Sequence, residues 1–583
     1  MVKKQELLLL LGKILYGTLF VIILPIFLVY WSLILDRSIN LPMPRWPVIA
    51  VSTILCGGLI ILKGTLDLII VGRGLPMNAY PPKKFVTQGI YAWFPHPIYL
   101  GAVLLSTGVA LWFQSSSGFY IVTPILALMT LSLVYGYERL TVQRLFGRST
   151  EHYQPLFSPP SPSNKKSTLV KKTAMSILIF TPWIIIGYLI DYVRFSGSNS
   201  GFFMNLLGQN WFEKLWLLPY LFILIKLLSA RSERHLTQAV ITGTIATWLG
   251  IYIYLILSIF KSEIISNALG WLLTSILVTF LAFNYPPIWG RLQQLSEWVA
   301  NSRKDWLFLN GNFRIINHSI YSGLGGAIGV AVSGYILDNN LAVLLLILCS
   351  LIGATVFAQV MWGSSKLLRP FGYWGAIIGG IIGITLVYLI FRIPLSKVAV
   401  AAVLSAPFVQ AVGRLRCLTQ GCCHGVITNK SLGIRVWQSQ SRVVVLSKLK
   451  GRYIHITQLY SILFNLLLGV LLWTLWFSHS VNSSIIIGLY LILTGIERFT
   501  EDAYRGEKQT RIIKGLKEPQ WQAIVALVIG IIITMIPSSV PSEPIGKFGL
   551  PFIAAVLAGG VMAAFAMSMD FPKSTLRFSR LSG

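Results

Sequence analysis

Negative charge is what this chain has least of. Asp and Glu number 19 among 583 residues, against 48 Lys and Arg, and all charged residues make up only 11% of the sequence. So little charge beside so much apolar surface excludes a water-exposed globular fold. Cysteine is scarce too, and five residues do not make a disulfide framework. Two of them, Cys56 and Cys349, lie inside apolar runs and read as small buried side chains. No internal repeat stands out. The cationic excess would suggest nucleic acid in a soluble chain. Here the basic residues fall in loops between apolar runs, where orientation signals and anionic-lipid contacts belong, and no nucleic-acid partner is expected.

What the chain does have is length of apolar run. Hydrophobic residues make up 55% of it and the mean hydropathy is +0.71. Crossing the ~30 Å hydrocarbon core takes roughly 20 helical residues. The runs predict an all-α, polytopic membrane protein with about sixteen transmembrane helices in three blocks. The first run, Leu7 to Trp31, is too long for a signal peptide and reads as a retained anchor. Four runs fall in residues 1–158. The Ser-, Pro- and Lys-rich stretch SPPSPSNKKS marks a linker over 159–170. Residues 171–310 form a connecting block of about four spans, and 311–583 hold eight more. The polar stretch Arg291 to Asn317, with Trp298 and Trp306 among charges, reads as a helix lying at the membrane interface. Basic residues flanking the first four runs place both ends of that block on the cytoplasmic side.

Two polar islands interrupt the grease, and polar clusters beside apolar spans are functional candidates by default. The first is GIYAWFPHPIYLG, preceded by GRGLP and a Pro-Pro pair and followed by YERLTVQRLFG. Glycine and proline bend the chain so that backbone can approach a cofactor. The order Gly72, Gly74, Pro76, Pro81, Pro82, Val86, Gly89, Tyr91, His96, Pro97, Tyr99, Gly101, then Glu138, Phe146, Gly147 and Tyr153 resembles the isoprenylcysteine carboxyl methyltransferase and phospholipid methyltransferase type of membrane enzyme. The resemblance implies S-adenosylmethionine as cofactor, held by Gly89, Tyr91, His96, Pro97, Tyr99 and Glu138, and a lipid-like methyl acceptor. Pro95, Ile90 and Arg139 stand where that pattern has arginine, proline and a second acid. Glu138 reads alternatively as an ion-pair partner of Arg144. Lys63 and Asp67, four apart on one helix, read as a mutually neutralising pair.

The second island is GRLRCLTQGCCHG, followed by HITQLY, ERFTEDAYRGEKQ and GLKEPQWQ. These four segments, in this order, resemble prolipoprotein diacylglyceryl transferase, which moves diacylglycerol from phosphatidylglycerol to a lipoprotein cysteine. The resemblance implies Arg414, Arg498, His424, His455 and Asp502 as catalytic residues, with Glu501 the acid in a one-residue slip. It implies Arg505, Tyr460, Gln458, Gly413, Gly421, Gly425, Cys417, Cys422 and Tyr321 at the substrate. Planar guanidinium groups suit phosphate oxygens bidentately. Trp374 stands where the family's histidine is expected, which makes His424 or His455 the replacement base. The family implies a bacterial plasma (inner) membrane location and an outward-facing site, although the basic loops argue for the cytoplasmic face.

The spacing C-x4-C-C-H fits no standard zinc site, and no metal is expected. Cys417, Cys422, Cys423 and His424 also read as an activated thiolate, as a disulfide, or as variants packed near a lipid headgroup. Three functions compete: a fusion of two lipid-modifying transferases, a methyltransferase with a non-catalytic lipid-binding C-terminal half, and a transporter.

Overall fold

The computed structural model describes residues 2–39, 43, 47–76, 80–147, 285–309, 312–362, 371–477, 481–507, 510–539, 548–575 and 581. The linker, Tyr153 and most of the connecting block fall outside the described residues. Contacts divide the chain into two compact units, Met1–Trp289 and Gly290–Gly583.

In the first unit four helices are described: α1 (Leu10–Leu35), α2 (Pro47–Ile70), α3 (Pro97–Trp112) and α4 (Gly118–Phe146). α2 and α3 meet along a seam of glycine. A Cβ on Gly57 would stand 2.7 Å from the Gly101 carbonyl, and one on Gly108 2.8 Å from that of Ala50. Where lipid removes the hydrophobic drive for helix association, such small residues let two backbones pack closely. At the far end of α3, Asp36 anchors the start of α4. Its Oδ2 accepts the Ser115 hydroxyl at 2.6 Å, and its Oδ1 accepts the Ser117 amide at 2.8 Å and hydroxyl at 2.7 Å. A carboxylate facing a helix N-terminus satisfies orphan amides and complements the dipole. Cys56, expected to be buried, is exposed on α2.

The second unit begins within α5 (Tyr285–Asn301), at Gly290, and continues into an antiparallel hairpin, β1 (Asp305–Leu309) and β2 (Phe313–Ile316). The expected single interfacial helix over Arg291–Asn317 is thus corrected: β1 and β2 pair as an antiparallel hairpin instead, with Trp298 exposed on the helix and Trp306 on the strand. Then come α6 (Ser319–Leu337), α7 (Asn340–Trp362), α8 (Tyr373–Phe391) and α9 (Leu395–Gln420). A short pair, β3 (Gly433–Arg435) and β4 (Tyr453–His455), precedes α10 (Thr457–Phe477) and α11 (Ser483–Tyr504). The two-residue strands β5 (Ile512–Ile513) and β6 (Leu516–Lys517) lead into α12 (Glu518–Thr534) and α13 (Leu550–Ser568), and β7 (Met569–Asp570) adds to the first hairpin. α11 and α12 lie on another glycine seam, where a Cβ on Gly530 would stand 2.8 Å from the Gly488 carbonyl. A third joins α7 to α8 at Gly353 and Gly375, and Cys349 lies along it.

All twelve spans expected in the described residues fall on helices. Nine are long and apolar enough to cross a membrane, and Pro97–Trp112, Thr457–Trp473 and Glu518–Thr534 are shorter apolar helices. The chain is an all-α polytopic membrane protein. Side chains such as Leu15, Val21 and Leu550 point outward, as contact with lipid requires.

One end of this bundle is tied by a buried polar knot. His318, fully buried, lies 2.7 Å by Nε2 from Gln420 Oε1 and 3.0 Å by Nδ1 from the Ser568 hydroxyl. Nε2–H therefore donates to the amide oxygen, and Nδ1 accepts from the serine. Arg314 Nη2 pairs with Asp570 at 2.6 Å, across the sheet. Burial, and then the nearby Arg416, push the His318 imidazole well below its ordinary value, so it is held neutral.

Adjacent glycines give a controlled test of the α2–α3 seam. Gly57→Ala places a Cβ against backbone and is expected to lower stability by about 1–3 kcal/mol. Gly58→Ala, where a Cβ meets nothing within 4 Å, is expected to be neutral or mildly stabilising. Thermal midpoints in detergent separate the two. His318 predicts a pH dependence. Its unfolded form binds a proton below about pH 6.5, which the native form refuses, so its contribution is present above that pH and drains away as pH falls. His318→Gln is expected to flatten the loss of thermal midpoint between neutral and mildly acidic pH. An unchanged profile would remove the assignment.

Candidate active sites

The first island folds where α2 ends and α3 begins. Asp67, buried on α2, takes Lys63 Nζ at 2.6 Å, which is the expected pair. It also accepts the Ile90 amide at 2.9 Å on its other oxygen, a role that spacing alone did not reveal. Gly89 sits at φ +63° with that carboxylate in the space a Cβ would need. Only glycine adopts this conformation at no steric cost while letting the acid approach. The aspartate thereby pins the Gly89–Tyr91 turn that leads into His96.

His96 precedes Pro97, which starts α3 at a position where a missing amide costs nothing. Its Nδ1 lies 3.2 Å from Glu138 Oε1, and its ring stacks 6.1 Å from that of Tyr99. Glu138 stands on a π-helical turn, Val134–Glu138, of the kind often found at functional sites. It pairs with His96; no ion pair with Arg144 is found among the described residues. Its second oxygen, Oε2, is buried without a hydrogen-bond partner there. The Gly72 and Gly74 backbone lies against Pro82, with Lys84 N–H donating to the Gly72 carbonyl at 3.1 Å. An unsatisfied buried carboxylate oxygen is costly unless a donor or cation completes it. This donor set fits a cationic cofactor with amino and sulfonium groups.

The second island is built where α9, α10 and α11 converge. Arg414 donates to Glu501 Oε2 at 2.6 Å and to the Ser461 hydroxyl at 3.0 Å. Arg498 donates to the same Glu501 oxygen at 2.6 Å and to Asp502 at 3.2 Å. Arg505 donates to Asp502 at 2.6 Å. Spacing of three and four residues on α11 brings both acids under both of its arginines. Burial works against the Arg505 cation, but Cys423, Asp502, Glu501 and Glu507 outweigh that cost and hold it well above its ordinary value. Arg498 Nε and Asp502 Oδ2 are buried with no hydrogen-bond partner among the described residues. The five residues carry a net positive charge and unspent hydrogen-bonding capacity.

Support comes from residues not singled out in the sequence, two of them within the GLKEPQWQ segment. Lys517 Nζ caps the end of α11, donating to the carbonyls of Asp502 at 2.9 Å and Arg505 at 2.6 Å. A cation on the last carbonyls satisfies them and complements the dipole. Gln520 donates to the Phe499 carbonyl at 3.0 Å. Tyr373, one residue before Trp374, lays its ring 5.3 Å from the Arg498 guanidinium, and Phe371 lies 5.2 Å from that of Arg416. Trp374 is itself buried, with its Nε1 unpartnered among the described residues. Gly413 leaves open space within 4 Å beside Arg414 on α9.

The α9 helix ends at Gly421, φ +76°, and the chain turns through Cys422 and Cys423. Gln458 Nε2 donates to the Cys422 carbonyl at 2.8 Å, Thr457 Oγ1 to that of Cys423 at 2.5 Å, and the Cys423 amide donates to Glu507 at 3.0 Å. The sulfurs of Cys417, Cys422 and Cys423 lie within 4.8 Å of one another, all three as free thiols. His424 does not join them. Its Nδ1 lies 3.0 Å from the Gly425 carbonyl and so donates, leaving Nε2 to accept from the Ser447 hydroxyl at 2.6 Å. Both nitrogens are occupied. Gly425 passes so close to His455 that a Cβ would stand 2.5 Å from its carbonyl. His455 has its Nδ1 3.2 Å from the Tyr460 hydroxyl, and burial lowers its pKa, which keeps it neutral and able to take a proton. Tyr321 stands half-buried in the first turn of α6, and no hydrogen bond among the described residues joins it to the arginines.

A lipid-facing bundle with phosphate-suited arginines in one unit, and a cation-suited carboxylate in the other, defines a membrane-embedded group-transfer protein. Residues 307–536 match the family model for prolipoprotein diacylglyceryl transferase, and residues 46–149 that for phospholipid methyltransferase. The chain is 30% identical over 184 residues to phosphatidylglycerol–prolipoprotein diacylglyceryl transferase 2 of Clostridium perfringens, covering 31% of this chain and 68% of that protein. It is 29% identical over 164 residues to the corresponding transferase of Clostridium tetani, covering 28% of this chain and 62% of that one. The chain belongs to the prolipoprotein diacylglyceryl transferase family, and its residues 46–149 are similar to phospholipid methyltransferases.

Proposed function

We propose that the second unit transfers a diacylglyceryl group from phosphatidylglycerol, or another anionic phospholipid, to a lipoprotein cysteine thiol in a bacterial plasma membrane. The observation that carries this reading is the Arg414–Glu501–Arg498–Asp502–Arg505 network, whose net positive charge and open Gly413 flank suit a phosphorylated headgroup entering from lipid. As the glyceryl carbon–oxygen bond breaks, charge grows on the leaving glycerol phosphate, and fixed guanidinium groups in a dry site stabilise it. The thiol must lose a proton. Indole at Trp374 cannot take it and His424 is occupied on both nitrogens, which leaves neutral His455 as the imidazole able to do so.

In the first unit His96, Glu138, the Gly72–Gly74 loop and the Gly89–Tyr91 turn would hold S-adenosylmethionine, which supplies an electrophilic methyl group when bound. The orphaned Glu138 oxygen would face its cationic groups, and Asp67 would keep the turn in place. The methyl acceptor would be lipid-like and arrive through the bilayer. A second reading, a C-terminal unit that binds lipid without turnover, is favoured by Trp374. The proposed boundaries are 1–158, 159–170, 171–310 and 311–583.

Mass spectrometry of a lipobox peptide incubated with the purified chain, phosphatidylglycerol and S-adenosylmethionine tests these readings. A diacylglyceryl adduct is expected, reduced by roughly 10²-fold or more in Arg414→Ala. Arg414→Lys should recover only part, because an ammonium cannot bind bidentately. Methyl transfer to an added lipid acceptor should fall in Glu138→Gln with the diacylglyceryl adduct unaffected. Phosphatidylglycerol binding with no adduct would favour the lipid-binding reading.

A further inference from the structure

The three clustered thiols take no part in the scheme above. Cys417 stands one turn beyond Arg414 on α9, and Cys422 and Cys423 follow the helix end. Each segment carrying a sulfur is fixed: Gly421 N–H closes on the Cys417 carbonyl at 2.9 Å, and Gln458, Thr457 and Glu507 hold the two later residues. Cys423 occupies the left-handed region, φ 57°, where a non-glycine residue is uncommon and costs free energy. From there its sulfur lies within 4.8 Å of the other two. Three sulfurs within 4.8 Å, with His424 directed elsewhere, form a thiol-only donor set.

Thiolates select soft or borderline ions, and zinc takes sulfur at about 2.3 Å in a tetrahedron. Three protein ligands leave the fourth position open, the arrangement of a reactive rather than a structural zinc site. Arg414 and Arg505 face the sulfurs and offset negative charge there, against Glu501 and against Glu507, which accepts from the Cys423 amide at 3.0 Å.

We infer that Cys417, Cys422 and Cys423 bind a zinc ion whose open position takes the acceptor thiol. The inference rests on the proposed transfer and deepens it, for the acceptor there is a cysteine. The incoming thiol displaces zinc-bound hydroxide, which leaves as water carrying the thiol proton. The metal-held thiolate forms the sulfur–carbon bond as the carbon–oxygen bond of the phospholipid breaks, and the electron pair departs on glycerol phosphate beside Arg498 and Arg505. The thioether product is a poor zinc ligand; water replaces it and releases one proton to solvent, which restores the hydroxide. A coordinating thiol is deprotonated outright, so in this scheme the metal site takes over from His455 the activation that Trp374 and His424 do not supply.

The test uses the full-length chain in detergent. Metal analysis after dialysis without chelator is expected to find one zinc per chain, lost in the Cys417→Ser/Cys422→Ser/Cys423→Ser variant whose helical circular dichroism is retained. Cobalt(II) put in place of zinc should show sulfur charge-transfer absorption, which grows on adding a cysteine lipobox peptide and not its serine analogue. Three outcomes overturn the inference: thiols alkylated equally with and without zinc, a disulfide among them, or cobalt spectra indifferent to the peptide. Transfer activity retained in the triple variant sinks the inference and spares the proposed function. Zinc and peptide binding without any transfer does the reverse.

Discussion

Everything in the second unit depends on putting three arginines in one buried place. The idealised cost of moving such a charge from water to a low-dielectric interior is of order 20 kcal/mol, and several kcal/mol remain after relaxation. Glu501 makes the cluster possible, because a single carboxylate oxygen accepts both Arg414 of α9 and Arg498 of α11 at 2.6 Å. That shared acceptor fixes how α9 and α11 cross. Asp502 does the same within α11, between Arg498 and Arg505. Within these five side chains two carboxylates face three guanidinium groups, and Glu507 adds a further acid toward Arg505.

The same constraint shapes the backbone around it. A helix ending in lipid-facing surroundings leaves its last carbonyls unsatisfied. In α11 those carbonyls lie beside the arginines, and Lys517 takes them while Gln520 reaches one turn further back. The first unit solves a smaller version of the problem. Buried Asp67 is offset by Lys63 and by the Ile90 amide, and the amide is what locates the Gly89–Tyr91 turn. In both units the acid scarcest in the composition is spent on position.

Much of this was legible from residues alone. Apolar run length located every described span because lipid tolerates little else there. The positions of the arginines, of His96, of Glu138 and of Gly89 were marked by motifs with fixed order, but that His96 and Glu138 pair with each other was not. The acid was less legible: Asp502 and Glu501 are adjacent, both reach the arginines, and only geometry shows that Glu501 bridges two helices. Lys517 and Ser461 were missed because capping and cross-helix contacts carry no fixed spacing. Tyr373 carries no motif of its own beside Trp374, and only the fold lays its ring 5.3 Å from the Arg498 guanidinium. The Arg291–Asn317 stretch was misread since tryptophans among charges suit an interfacial helix and a hairpin edge equally.

The histidines show why residue type alone does not assign a base. His318, His424 and His455 all lie in the second unit, yet each is committed differently. His318 is sealed in a knot between α6, α9 and α13, and His424 spends both nitrogens on Gly425 and Ser447. His455 is half-buried, with one nitrogen toward Tyr460 and its ring beside Tyr504. Burial lowers its proton affinity, which keeps it neutral but also makes it a weak acceptor for a thiol proton near pH 8.5 in ordinary pKa. A reaction that needs a thiolate must therefore lower the pKa of the thiol itself, by a cation or a metal, or accept a low rate. The arginine cluster can do part of that, and three sulfurs beside it offer the rest.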